Sequence, residues 1–149
     1  MEGNSRRITT RELWARLFKA PSIDSLLSWE DDFELPSLSD YLAGLCEVRD
    51  ERPEAIINRS GIDRSFGHRI FSGKRNPSRD TVLQLAFGLQ LSTDDAQQLL
   101  KVARVTALHP KVKRDAVIAY CLHNGKTLIE AQEALHECGL PLLGGARHE

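Results

Sequence analysis

Basic residues are concentrated in the middle of this 149-residue chain. Their positive side chains could bind a negatively charged partner. Between Arg52 and Asp115 there are 12 Lys or Arg residues against 6 Asp or Glu residues, whereas the segments on either side are net acidic. The whole chain has a formal net charge of only −1. A basic middle between acidic flanks is typical of a nucleic-acid-binding surface, and a solvated basic face without a partner is the alternative.

Two Cys–His pairs have the residue types of a metal site: Cys121 with His123, and His136 with Cys138. Residues two apart on a helix point roughly 200° apart, so neither pair is expected to converge on one ion. Buried cysteines and histidines at helix ends are the preferred interpretation, and we predict no metal and no other cofactor. An odd number of scattered cysteines also argues against a disulfide framework and fits a reducing compartment.

Sequence motifs for catalysis are absent. The chain has no phosphate-binding glycine loop and no recognisable nucleophile or acidic-pair motif, so we do not predict an enzyme. No stretch approaches the roughly 20 consecutive apolar residues of a membrane helix. The first residues, 1–11, are polar and lack the apolar segment of a signal peptide. We therefore expect a cytoplasmic protein that does not bind a membrane.

The elements that must position the basic residues are predicted to be helices throughout. Side chains able to cap a first helical turn recur before apolar helical patterns, at Thr9, Ser37, Asp63, Ser78, Ser92 and Thr127. Pro53 suits the first turn of a further helix, and Gly61 suits a left-handed position after that helix ends. Because no strand-like alternation is present, the predicted fold class is all-α.

The pattern of helices and breaks predicts four segments. They are an N-terminal helical extension and linker (1–36), a central domain (37–104), a C-terminal helical hairpin (105–143) and a loose tail (144–149). The extension is rich in aromatic residues for its length, with Trp14, Phe18, Trp29 and Phe33. We expect these side chains to pack onto the central domain, and a dimer or partner surface is the alternative.

The central segment contains a compact turn pattern. A short helix stops at Gly61, Ile62 and the capping residue Asp63 follow, and a second short helix runs to a further glycine, Gly73. A basic pair and a proline come next, in Lys74-Arg75 and Pro77. Taken together, this pattern closely resembles the lambda-repressor-like family, also called the xenobiotic-response-element (XRE) family, over about half of the chain, from Leu38 to Leu100.

The resemblance implies a five-helix domain with a helix-turn-helix unit, whose second helix (63–72) enters the major groove of DNA. It places base-contacting side chains at Arg64, Ser65, His68 and Arg69, and phosphate-contacting side chains at Lys74, Arg75 and Arg79. Arg can pair with guanine through two hydrogen bonds, while phosphate contacts supply affinity and salt sensitivity.

The resemblance implies a sequence-specific protein that binds double-stranded DNA, a transcription regulator, with a homodimer as the form that reads paired half-sites. Three residues depart from the family pattern. Pro53 replaces a phosphate-holding glutamine, Gly67 replaces a buried aliphatic residue, and Phe71 replaces a residue that is often acidic. These departures favour the alternative of a protein-interaction adaptor that retains the fold without binding DNA. The adaptor would contact its partner through Phe66 and Phe71 of the second short helix. The N-terminal extension and the C-terminal hairpin are candidate surfaces for a dimer, an effector or a protein partner.

Overall fold

A computed structural model of the chain describes residues 10–28 and 35–144. Within these two ranges all the regular secondary structure is helical, as predicted. The predictions for Thr9, Trp29, Phe33 and the tail beyond Gly144 lie outside the described residues. The chain divides into two compact units, Met1–Leu35 and Pro36–Glu149.

The helices follow one another with short connections. The first unit contains α1 (Thr10–Phe18) and α2 (Ile23–Leu27). The second unit contains α3 (Leu38–Arg49), α4 (Pro53–Arg59), α5 (Arg64–Phe71), α6 (Arg79–Gly88), α7 (Thr93–Val102), α8 (Lys113–His123) and α9 (Leu128–Glu137). Both the predicted central segment 37–104 and the predicted hairpin 105–143 therefore fall within the second unit.

Polar caps start most of the helices in the second unit. The side chain of each predicted cap accepts a hydrogen bond from the backbone N–H three residues later, at Ser37, Asp63, Ser78, Ser92 and Thr127. Glu130 completes a reciprocal capping box with Thr127. Pro53 is the first residue of α4, where its missing N–H leaves no intrahelical bond unmade. The predicted caps and helix starts at these positions are confirmed.

Helix α6 is the central element of the core. All of its residues from Thr81 to Gly88 are buried except Gln84, and it packs against α4, α7 and α9. The hairpin contributes to the same hydrophobic cluster through Ile118 of α8 and Leu135 of α9, both fully buried. The two predicted segments thus share one core, and α5 is held against it through α3 and α4.

Paired charges tie the start of α6 to α8. Arg79 bonds Asp115 at 2.8 Å, and Arg114 donates two hydrogen bonds to the carboxylate of Asp80 at 3.1 and 3.0 Å. The backbone N–H of Gly144 donates to the same Asp80 carboxylate at 2.9 Å. These crossed pairs hold the C-terminal segment against the helix that follows α5.

The first unit is small, and most of the large apolar side chains described in it are exposed. In α1 the rings of Trp14 and Phe18 stack with their centroids 5.6 Å apart, and both side chains are exposed. Whether they pack onto the rest of the chain, as expected from the sequence, stays a prediction. None of the described helices is both long and apolar enough to cross a bilayer.

Candidate nucleic-acid interface

Helices α4 and α5 are joined by a tight turn that fixes the position of α5. Gly61 has a φ of 65°, the left-handed conformation predicted for it, and Asp63 caps α5 by accepting a hydrogen bond from Phe66. The two helices lie very close together at Gly67. A Cβ atom there would lie only 2.7 Å from Cγ2 of the buried Ile57 on α4.

The four predicted base-contacting residues share the outer face of α5. Gly67 and Ile70 are the buried residues of this helix and face the core. Arg64, Ser65, His68 and Arg69 are all exposed. Since these positions lie within about 140° of one another around a helix, the structure brings them together on one surface.

An acidic residue that the sequence analysis did not single out lies on this surface. Oε2 of Glu54, in the first turn of α4, is 2.7 Å from an NH2 nitrogen of Arg64 and 3.8 Å from Nε2 of His68. Glu54 is ten residues before Arg64, so no helical spacing connects the two. Only the packing of α4 against α5 brings this carboxylate to the predicted base-contacting face.

The basic pair after α5 is anchored to the end of that helix. The backbone N–H groups of Lys74 and Arg75 both donate to the carbonyl of Arg69, at 2.8 and 3.3 Å. The Arg75 guanidinium also lies over the ring of Phe66, 5.6 Å from its centroid. Both basic side chains are exposed, so the structure places them beside the outer face of α5.

Arg79, the third predicted phosphate contact, is engaged within the fold. Its guanidinium donates to the carbonyls of Thr106 and Ala107 and to the carboxylate of Asp115. Its side chain is only 25% exposed, whereas that of Arg64 is 78% exposed. The geometry therefore gives Arg79 a structural role and does not place it in the exposed group with Lys74 and Arg75.

The two aromatic residues of α5 are only partly accessible. Phe66 and Phe71 are half-buried and pack against the hydrophobic core. The outer face of α5 is consequently formed by polar and basic side chains.

The C-terminal cysteines lie in different environments. Burial raises the pKa of the Cys121 thiol, while Cys138 is exposed, so the expectation of buried cysteines is right for Cys121 and wrong for Cys138. His123 and His136 lie in the last turns of α8 and α9, as expected. Across residues 10–28 and 35–144, no group of three or more His, Cys, Asp or Glu side chains is arranged to hold a metal ion.

Comparison with known proteins gives no relative. No protein-family model, curated protein or solved structure matches the chain. Function is therefore inferred from the geometry of α4, α5 and the residues that follow them.

Proposed function

We propose that this protein is a sequence-specific double-stranded DNA-binding protein, acting as a transcription regulator, with α5 as the helix that enters the major groove. The observation that carries the proposal is the exposed face formed by Arg64, Ser65, His68 and Arg69, with Lys74 and Arg75 anchored at its end. The order of α3 to α7 and the tight α4–α5 turn are those expected of a lambda-repressor-like helix-turn-helix domain.

The two ends of this face have chemistry suited to different parts of DNA. The Arg64 guanidinium keeps N–H groups that make no hydrogen bond to any described residue, so it can donate to the O6 and N7 atoms of guanine. Lys74 and Arg75 lie where a phosphate backbone would flank an inserted helix. Their exposure leaves both charges accessible to phosphate.

The adaptor alternative has less support at this surface. It requires α5 to present an apolar patch to a protein partner, and Phe66 and Phe71 are the residues that would form it. Because both rings pack against the core, little apolar area is offered on the outer face. The adaptor nevertheless remains the second proposal if no duplex is bound.

Duplex binding across a salt series tests the proposal. The intact protein, an Arg64→Ala/His68→Ala variant and a Lys101→Ala/His136→Ala control are compared on fragments from the gene's own upstream region and on random duplexes. Like the test variant, the control loses one basic side chain and one histidine, but from exposed positions on α7 and α9. We expect selective binding that weakens steeply with salt, lost selectivity in the first variant and unchanged selectivity in the control.

A phosphate-contact variant gives a separate readout. Lys74→Ala is expected to weaken binding to all duplexes alike and to reduce the slope of log affinity against log salt by about one. Affinity that does not depend on salt, or no affinity for any duplex in all of these proteins, would overturn the proposal and favour the adaptor.

A further inference from the structure

A carboxylate lies beside Arg64 and His68 on the face that we propose to contact bases. Glu54 and Arg64 form a hydrogen-bonded ion pair at 2.7 Å, with side-chain exposures of 52% and 78%. The Nε2 atom of His68 approaches the same carboxylate oxygen, Oε2, at 3.8 Å. The other oxygen, Oε1, accepts no hydrogen bond from any residue in the described ranges.

This ion pair contributes little to the stability of the fold. Exposed pairs of this kind add little stability, because water screens the charges and two long side chains lose freedom. A carboxylate at a DNA surface is also repelled by phosphates. Glu54 is therefore unfavourable on this face unless the bound DNA supplies a hydrogen-bond donor to it.

The major groove offers such donors only at particular bases. Cytosine presents its N4 amino group, and adenine presents its N6 amino group beside the N7 acceptor. A guanine next to a cytosine on the same strand presents two acceptors, N7 and O6, beside the N4 donor. The Arg64–Glu54 pair carries donors and an acceptor side by side, which is the complementary arrangement.

We propose, as a refinement that depends on the function proposed above, that Glu54 is a specificity-determining residue of the DNA-binding surface. Arg64 donates to a guanine, and Oε1 of Glu54 accepts a hydrogen bond from the N4 amino group of a cytosine in the neighbouring base pair. The ion pair keeps Arg64 in place before DNA binds. The carboxylate then disfavours any base that lacks an amino group at this position.

Selection from a randomised duplex library, followed by competition binding, tests the assignment. The proteins are the intact chain, Glu54→Gln, and Glu133→Gln as a charge-matched control on the exposed side of α9. The intact chain and the control should prefer cytosine at one position by at least about fivefold, next to a selected guanine. Glu54→Gln should lose that preference, or transfer it to adenine, since glutamine pairs with adenine N6 and N7.

Each other result overturns the assignment in a recognisable way. If Glu54→Gln binds all sequences more tightly with the same preferences, Glu54 only reduces the charge of the surface. If the intact chain selects a sequence without a guanine–cytosine step, the proposed function stands and this assignment fails. If none of the three proteins binds any duplex, both proposals fail together. Matching circular dichroism and thermal midpoints verify that the variants fold.

Discussion

Asp80 is the residue with the most heavily bonded carboxylate in the described part of the second unit. Burial on its own raises the pKa of this carboxyl, but the hydrogen bonds from Arg114 and the Gly144 N–H outweigh burial. Together with the charges of Arg114 and Arg79, they lower the pKa of Asp80 below its usual value. Because the folded-state pKa lies below the unfolded value, the ionised carboxylate stabilises the fold above the unfolded pKa. This contribution is lost as the pH falls through the folded-state pKa.

The lowered pKa of Asp80 gives the first prediction. Asp80→Asn should lower the free energy of unfolding by about 1–3 kcal/mol at pH 7, because hydrogen bonds to charged groups contribute in this range. The loss should shrink as the pH falls below about 4, where the wild-type carboxyl becomes protonated in the unfolded chain. Urea titrations at several pH values measure it.

Asp94→Asn is the matched control for this measurement, because Asp94 is exposed in the first turn of α7 and bonds no described residue. Its effect should stay within about 0.3–1 kcal/mol, the usual contribution of an acid near a helix N-terminus. An equal loss for Asp80→Asn at pH 3 and pH 7 would show that packing, and not charge, explains the role of Asp80.

At the scale of single residues, the sequence predicted which side chains are exposed better than it predicted which residues they contact. Arg64 and His68 were expected on an outer helix face, and both are exposed there. Their neighbour Glu54 and the inward engagement of Arg79 with Asp115 were not anticipated. Such pairs join residues 10 and 36 positions apart, and their distances depend on how helices pack, which local spacing does not encode.

At the scale of helices, α5 is positioned by its close approach to α4. Gly67 faces Ile57, and a Cβ atom at position 67 would lie 2.7–2.9 Å from three side-chain atoms of that buried isoleucine. Contacts this short require neighbours to move in a packed core. Gly67 therefore sets the distance between α4 and α5, and this distance determines how far the outer face of α5 lies from α4.

The second prediction compares two glycines in helices. Gly67→Ala should lower the free energy of unfolding by about 1–2 kcal/mol, since overpacking costs about 1–3 kcal/mol and the gain in helix propensity is at most about 1 kcal/mol. Gly44→Ala in α3 should instead stabilise the protein by up to about 1 kcal/mol, because a Cβ atom there meets nothing within 4 Å.

Urea titrations of both variants give the two values. Stabilisation of similar size in both would mean that Ile57 moves aside without cost, and the spacing of α4 and α5 would then not depend on Gly67. A loss of stability for Gly67→Ala together with a gain for Gly44→Ala would support the role of Gly67 in fixing the position of α5.

The helix boundaries were the most predictable feature of this fold. A cap such as Ser78 or Thr127 acts on a backbone N–H only three residues away, so its signal is contained in a few adjacent positions. The sharing of one core by the central segment and the hairpin was not predicted. It depends on contacts between α6 and α9, whose apolar faces are separated by about forty residues of sequence.

At the scale of the whole molecule, the two units differ greatly in the core that each contains. None of the residues described between 11 and 28 is buried, whereas the second unit contains a continuous cluster extending from Leu42 to Leu143. A unit of 35 residues is below the size that usually folds without a disulfide, a metal or a partner, and the residues described within it bury no apolar side chain. The second unit has the core expected of a cooperative domain.

The last prediction uses the positions of the two tryptophans. Trp14 and Trp29 both belong to the first unit, so tryptophan emission reports on that unit, while far-UV circular dichroism is dominated by the helices of the second. In a urea titration of the full chain, emission and dichroism should change together, because the extension is expected to pack onto the central domain. An emission change at lower urea would show that the extension unfolds separately and would contradict that packing. An emission transition that moves to higher urea as protein concentration rises would favour a dimer surface on the extension, because mass action stabilises only an associated form.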